Sequence, residues 1–465
     1  MEDNKKITHL IILISCLYLS IIVYLTYFQI FQGPEIVDNP YNKRQWARED
    51  STIRGDIYDR NDNLLATSEV VDDKPIRKYP YNNLYSHIIG YSYKQYGRSG
   101  IESYYNEDIM ALNPDNPVTI IKNQFIDEMI RGNDLVLTLD HNIQKTAEEL
   151  LGGKMGSIVA IDPNTGGILA MVSKPDFNPN TLIEDWDNLV NNENSPLLNR
   201  STAGLYTPGS IYKVIITSAI LENPASVNPD YDCTGSIVID GYTLTDYSER
   251  GHGNLNLEES LVVSCNTNFA RMAVDLGGDK IGEISRRFFM DRSISSDIPI
   301  QKSRYPYDDN MGKTDVAAIG IGQGKLLVTP IHMALVAGTF ANDGYMMEPY
   351  IVERVQTPTG KVLMEASLKS NPIVSREIAN QVKDMMISAV NRGTGRNAAI
   401  NGLTVGGKTG TAENATGKSH AWFIGFAENG ENRIAVAVIL ESSGETGGAA
   451  AAPIARRIMQ EGLRR

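Results

Sequence analysis

The sequence predicts an α+β protein: an antiparallel sheet flanked by helices, with a helical subdomain, a small N-terminal pedestal domain and one N-terminal transmembrane helix. Three observations carry this expectation. Two hairpin patterns lie far apart, near residues 156–173 and 421–440, and helical patterns fill the interval between them. No charged residue occurs from 7 to 34. From 52 to about 150, short apolar stretches alternate with Gly, Pro and Asn, which suits a small mixed domain.

The anchor comes first. Residues 7–28 read ITHLIILISCLYLSIIVYLTYF. At about 1.5 Å per residue, such a helix crosses a hydrocarbon core of roughly 30 Å. Lys5 and Lys6 precede it and favour a cytoplasmic N-terminus. A cleaved signal would need a small-residue site, and no Ala occurs before Ala47, so the helix is expected to stay. The expected division is a cytoplasmic tail at 1–6, the anchor at 7–28, a pedestal at 35–150 and a catalytic domain at 151–465. Residues 35–50 are polar and read as a juxtamembrane connector.

Further along, a helix is expected over 141–151 with Asp140 as its N-cap. The runs at 156–162 and 167–173 flank Pro163-Asn-Thr-Gly166, a turn signal. Helical patterns follow at 211–221, 257–276, 330–340 and 375–390. After the second hairpin, 451–463 reads as a helix with Pro453 near its start.

Composition excludes several functions. The chain has 465 residues, 43 Lys+Arg and 56 Asp+Glu, for a net charge of −13. A hydrophobic share of 42% supports a sizeable core. The acidic balance argues against nucleic acid as a partner. Three cysteines cannot build a disulfide scaffold, and six histidines without an HxxxH or HxH pair give no reason to expect a metal. No cofactor is expected.

The chemistry begins at Pro208-Gly-Ser210-Ile-Tyr-Lys213. Pro-Gly turns the chain into a helix, and Ser210 sits where free N–H groups favour developing negative charge. Lys213 is three residues on, over the same face. It can activate the hydroxyl only when neutral, which costs an exposed lysine about 4–5 kcal/mol at pH 7. Burial and a second cation can offset that. One Ser-x-x-Lys arises about once by chance in a chain this long. Lys408-Thr409-Gly410-Thr411 adds a second signal: an edge strand beside a cleft, with hydroxyls and a cation for a carboxylate. The third element, Ser-x-Asn, occurs twice. Ser226–Asn228 lies between prolines in a loop, whereas Ser264–Asn266 has helical stretches on both sides and is preferred.

Taken in order, Ser210–Lys213, Ser264–Asn266 and Lys408–Gly410 resemble the three motifs of the penicillin-binding proteins and serine β-lactamases. The contexts NRSTAGLYTPGS at 199–210 and HAWFIGF at 420–426 resemble a transpeptidase of that family. RGDIYDRN at 54–61, RKYP at 77–80, GRSGIE at 97–102 and GNDLVLTLD at 132–140 resemble class B signatures, in the compact PbpA-like branch.

This resemblance implies the penicillin-binding-protein transpeptidase fold and a membrane-anchored peptidoglycan DD-transpeptidase, acylated by β-lactams at the same serine. Ser210 would attack the carbonyl of a D-Ala-D-Ala stem peptide and Lys213 would take its proton. Ser264 would relay a proton to the departing D-Ala, with Lys408 tuning the field. Asn266 would bond the substrate amide. Thr409, Gly410 and Thr411 would bind the donor, and the N–H groups of Ser210 and Thr411 would form the oxyanion hole. An amine of a second stem peptide is the acceptor. The implied setting is a single-pass protein of the bacterial membrane with an extracytoplasmic catalytic domain. Glycan strands would come from a partner, a SEDS-family polymerase. Two alternatives differ in class: a carboxypeptidase or β-lactamase-type hydrolase, which needs an activated deacylating water, and a non-catalytic penicillin-binding sensor or scaffold, which has no need of Ser210 or Lys213.

Overall fold

The computed structural model describes residues 2–28, 52–112, 130–248, 250–306, 311–414 and 417–464. The expected connector at 35–50 lies outside them. Glu2–Tyr27 is one helix, and its Lys5–Tyr27 portion, with a mean hydropathy of 2.3, is long and apolar enough to cross a membrane.

The two hairpins meet in one five-stranded antiparallel sheet, in the order Ile168–Lys174, Gly156–Ile161, Asn432–Leu440, His420–Asn429 and Thr404–Ala412. Alternation divides each strand between two cores. Val436 and Val438 pack with Ile143, Ala147, Ala455 and Ile458, on helices His141–Leu151 and Gly447–Gly462. Ala435, Ala437 and Ile439 face the opposite way, toward helix Pro330–Ala341, all twelve of whose residues are buried. That helix is almost wholly apolar, as an enclosed helix is expected to be, and its two polar side chains, His332 and Thr339, are hydrogen-bonded. Thr404–Ala412 is one of the sheet's two edges.

Asp140 accepts from the Asn142 and Ile143 N–H groups at 3.0 and 3.3 Å, capping its helix as expected. The last helix departs from expectation. It begins at Gly447, with Thr446 as its cap, so Pro453 lies inside it rather than near its start. The pattern at 257–276 also breaks, into Leu257–Val262 and Asn266–Leu276. Ser264 stands between them at φ +61°, a left-handed conformation that no helix accommodates in a non-glycine residue.

The pedestal is a six-stranded sheet in the order Val362–Glu365, Val352–Gln356, Asp134–Leu137, Ile57–Tyr58, Leu64–Val71 and Lys74–Lys78. Its first two strands come from far along the chain. The chain leaves the pedestal, lays down two of the five strands of the other sheet, returns, and only then adds the remaining three.

Three sequence signatures converge beside this sheet on a buried ion cluster. Arg54 donates to Glu102 Oε2 from Nε at 2.9 Å and Nη2 at 2.6 Å, while Arg77 Nε reaches Oε1 at 2.6 Å. Gly55 lets the backbone close here, since a Cβ would lie 1.8 Å from Asn133 O. Burial alone would raise the Glu102 carboxyl, but Arg77 and Arg54 together hold it below its ordinary value.

Candidate active site

A tight turn delivers Ser210. Gly209–Tyr212 is a single 3₁₀ turn that continues into helix Lys213–Glu222. Gly209 has φ +58°, and a Cβ there would lie 2.8 Å from Thr411 O, so the turn rests against the edge strand. Gly410 makes the same close approach from the other side, where a Cβ would meet Pro208 O at 2.9 Å. Trp422 Nε1 donates to Thr207 O at 3.1 Å and ties the preceding residues to the sheet. Gly322 supports the turn from beneath, accepting the Gly209 N–H at 2.8 Å.

Lys213 and Lys408 are fully buried and converge on Ser264. Lys408 Nζ donates to Ser264 Oγ at 2.8 Å and to Thr409 O at 2.9 Å. Lys213 Nζ reaches Ser264 Oγ at 3.5 Å, and donates to Ser264 O at 2.8 Å and Asn266 Oδ1 at 2.7 Å. The left-handed Ser264 is what turns both its carbonyl and its hydroxyl toward these cations. Strain of this kind costs of order 1–3 kcal/mol and persists where the surroundings over-determine it.

Neither lysine has a carboxylate in hydrogen-bond reach among the described residues. Burial pulls Lys213 down to about 8, against a smaller upward pull from Cys265 and Asp246. Burial, and then the charge of Lys213, hold Lys408 well below its ordinary value. Two desolvated cations sharing one hydroxyl are the neutral-lysine arrangement that Ser-x-x-Lys chemistry requires.

The structure thus brings Lys213, Ser264, Asn266 and Lys408 into one hydrogen-bonded web. Ser210, half-buried, stands at its side and makes no hydrogen bond to Lys213 among the described residues. The pair is expected to close with substrate present, since such contacts are often long in the free enzyme. Thr411 is exposed, whereas Thr409 is buried and its hydroxyl pairs with Thr394 at 2.6 Å. The alternative Ser226–Asn228 is elsewhere. Ser226 is exposed and accepts from Lys280 at 2.7 Å.

Three supports escaped the sequence. Asp246 accepts from the Asn266 N–H and, at 2.7 Å, from Thr267 Oγ1, and so fixes the turn behind Ser264. Thr394 holds Thr409. Glu441 accepts from Arg200 Nε at 2.7 Å and Tyr206 OH at 2.5 Å, bracing the approach to Ser210. No local pattern marks any of them.

Known proteins agree with this architecture. Residues 156–460 match the penicillin binding protein transpeptidase domain, and residues 54–135 match the penicillin binding protein A dimerisation domain. The peptidoglycan D,D-transpeptidase PbpA of Mycolicibacterium smegmatis is 32% identical, over 99% of this chain and 99% of the relative. The peptidoglycan D,D-transpeptidase MrdA of Acinetobacter baumannii is 28% identical, over 90% of this chain and 72% of its own length. Among solved structures, the ceftriaxone acyl-enzyme of M. tuberculosis penicillin-binding protein A superimposes with a TM-score of 0.84 at 29% identity, covering 89% of this chain and 99% of that one. With a transpeptidase domain spanning well over half its length and a near full-length relative in PbpA, the chain belongs to the penicillin-binding-protein transpeptidase family, in its class B form.

Proposed function

We propose that the protein is a membrane-anchored, serine-type peptidoglycan D,D-transpeptidase. The observation that carries this reading is the pair of buried lysines sharing Ser264 beside the Ser210 turn. Ser210 Oγ attacks the penultimate D-Ala carbonyl of a stem peptide and passes its proton to neutral Lys213. The Ser210 and Thr411 N–H groups receive the oxyanion, an interaction whose loss typically costs ~10²–10³ in rate. Lys408 Nζ donates to a lone pair of Ser264 Oγ, which leaves the Ser264 proton to point at the departing amine. Asn266 orients the substrate amide; Thr409, Gly410 and Thr411 hold the donor's carboxylate end. An amine from a second stem peptide then takes the acyl group. β-Lactams enter the same path and stop at the acyl-enzyme.

In the same reading, residues 1–6 are cytoplasmic, 7–28 cross the membrane, 35–150 form the pedestal and 151–465 the catalytic domain outside, apart from the strands at 352–356 and 362–365 that complete the pedestal sheet. Lys5 and Lys6 before the apolar helix support that orientation. Glycan strands come from a separate polymerase of the SEDS family, docked through anchor and pedestal.

The test is acylation by a fluorescent penicillin, with Ser210→Ala beside wild type. Wild type is expected to label and Ser210→Ala to be silent. Equal labelling of the two overturns the nucleophile. Incubating the protein with a pentapeptide donor and an amine acceptor then separates transfer from hydrolysis. Free D-Ala without cross-linked product would make it a carboxypeptidase.

A further inference from the structure

The second and third motifs stand on separate elements. Helix Leu257–Val262 leads into Ser264, and strand Thr404–Ala412 carries Lys408. Within the lysine web they are joined by the Lys408 Nζ bond to Ser264 Oγ at 2.8 Å. A second tie lies outside that web. Helix Arg376–Arg392 packs against both elements, and the turn that ends it grips each of them at single residues.

On the Ser264 side the grip is double. Arg392 Nη2 donates to Glu258 Oε1 at 2.6 Å and Nη1 to Glu259 Oε2 at 2.8 Å, so one guanidinium fork joins both carboxylates of that helix's first turn. At the other end of the same helix, the Thr394 N–H donates to Val262 O at 3.2 Å. Gly393 permits this approach, since a Cβ there would lie 2.3 Å from Val262 O. On the Lys408 side, the Thr394 hydroxyl pairs with Thr409 Oγ1 at 2.6 Å. Asn397 Nδ2 then donates to Gly448 O at 2.8 Å and ties the following residues to the last helix. The short run 392–394 thus spans two motifs whose Ser264 and Lys408 are 144 residues apart in the chain.

The exposure of the ion pairs indicates what they do. Arg392 keeps 43% of its side chain exposed, and Glu258 and Glu259 keep 41% and 37%. Exposed pairs of this kind contribute little to global stability. Placement is another matter. A helix of six residues has little rigidity of its own, and this one ends just before the left-handed Ser264. Where it sits decides whether Ser264 Oγ stays within reach of both lysines. Burial is what depresses those lysines, so they respond to any water that enters between helix and strand.

We propose that Arg392 is a positioning residue for acylation: through Glu258 and Glu259 it holds the Ser264 helix against the Lys408 strand, at the spacing that keeps both lysines dry. This role rests on the catalytic reading above. Without the bridge the first turn of the helix is free to draw away, water reaches the amines, and each recovers its proton at neutral pH. Arginine suits the task because its planar fork serves two carboxylates at once, and a lysine offers no such fork. The partners are far apart in sequence, so no local pattern marks the bridge.

The experiment compares full-length wild type in detergent with Arg392→Ala, Arg392→Lys and the pair Glu258→Gln with Glu259→Gln. Penicillin acylation of Arg392→Ala is expected to be about tenfold slower at about pH 7, with thermal unfolding within about 2 °C of wild type. The deficit should shrink to under about twofold near pH 10, because hydration returns Lys213 toward ~10.4 and moves the rise of the rate profile upward. Arg392→Lys should fall between the two. The paired glutamine variant should match Arg392→Ala, and adding Arg392→Ala to it should cost nothing further. An Arg392→Ala rate equal to wild type overturns the positioning role, as does a deficit that is the same at both pH values. Additive losses in the combined variant overturn the route through Glu258 and Glu259. Amide hydrogen exchange reads the same spacing without catalysis. Segments 257–266 and 404–412 should exchange faster in Arg392→Ala, and the pedestal strands should not. Unchanged exchange at 257–266 overturns the brace. Faster exchange there, in a protein whose wild type never takes up penicillin, would support the brace and count against the transpeptidase reading.

Discussion

The pedestal and the cleft both bury charge, in opposite ways. In the pedestal, Arg54 and Arg77 surround Glu102, and the carboxylate finds a partner for each oxygen. In the cleft, Lys213 and Lys408 are just as buried, yet their acceptors are a hydroxyl, carbonyls and an amide. The first arrangement fixes its protonation states and can only hold structure. The second leaves each lysine poised to shed a proton, at the expense of stability. Buried charge is therefore no guide to function until its partners are known.

The contrast is most exposed by substituting one member of each cluster. Lys213→Met should slow penicillin acylation by about 10²–10⁴-fold while leaving thermal stability equal or about 2–4 °C higher, because an uncompensated cation leaves the core. Stopped-flow labelling and thermal unfolding of the same sample check both halves. A variant that both loses labelling and melts lower would erase the distinction.

Glu102→Gln should do the reverse. It strands two guanidinium groups and should cost about 3–5 kcal/mol in denaturant unfolding. Acylation of the folded protein by a soluble β-lactam should stay within about twofold of wild type. A collapse of acylation at full folding would mean that the pedestal cluster reaches the cleft.

pH separates the regions further. Lys213 titrates near 8, below the ~10.4 of an exposed lysine, so the unfolded chain binds its proton more tightly. Its contribution to stability therefore rises with pH from about 8 to ~10.4, and the acylation rate should climb through about 8 as the neutral amine forms. Glu102 is depressed instead. Its stabilisation is full above the ordinary carboxylate range and is lost only as pH falls through its lowered folded value. A rate profile flat from 6 to 9 would remove Lys213 as base. Smallest of all is Ser226→Ala, an exposed loop change expected to shift stability by under about 0.5 kcal/mol and acylation not at all.

What the sequence revealed was local. The Pro-Asn-Thr-Gly turn between apolar runs and the Asp140 cap are short-range signals, and both reappear in the structure. Ser210, Lys213, Ser264 and Lys408 stood out because each belongs to a short string of distinctive residues. What it hid was non-local or subtle. The break at Ser264 disappears into apolar periodicity that continues on both sides. The start of the last helix lies in Gly-Gly-Ala-Ala, which has no apolar period. Asp246 and Thr394 sit in loops, and only folding brings them to the motifs they support.

The returning strands of the pedestal impose an order on synthesis. Strand Asp134–Leu137 has Ile57–Tyr58 on one side from the beginning, but its other edge stays open until residues 352–365 have been made. During that interval the nascent chain carries a strand with one unpaired edge, all four of whose residues are buried in the finished fold. The pedestal sheet can therefore be completed only after residues 352–365 have been made. An excised catalytic domain beginning at residue 156 would keep two strands whose partner had been removed, and its exposed edge would invite aggregation.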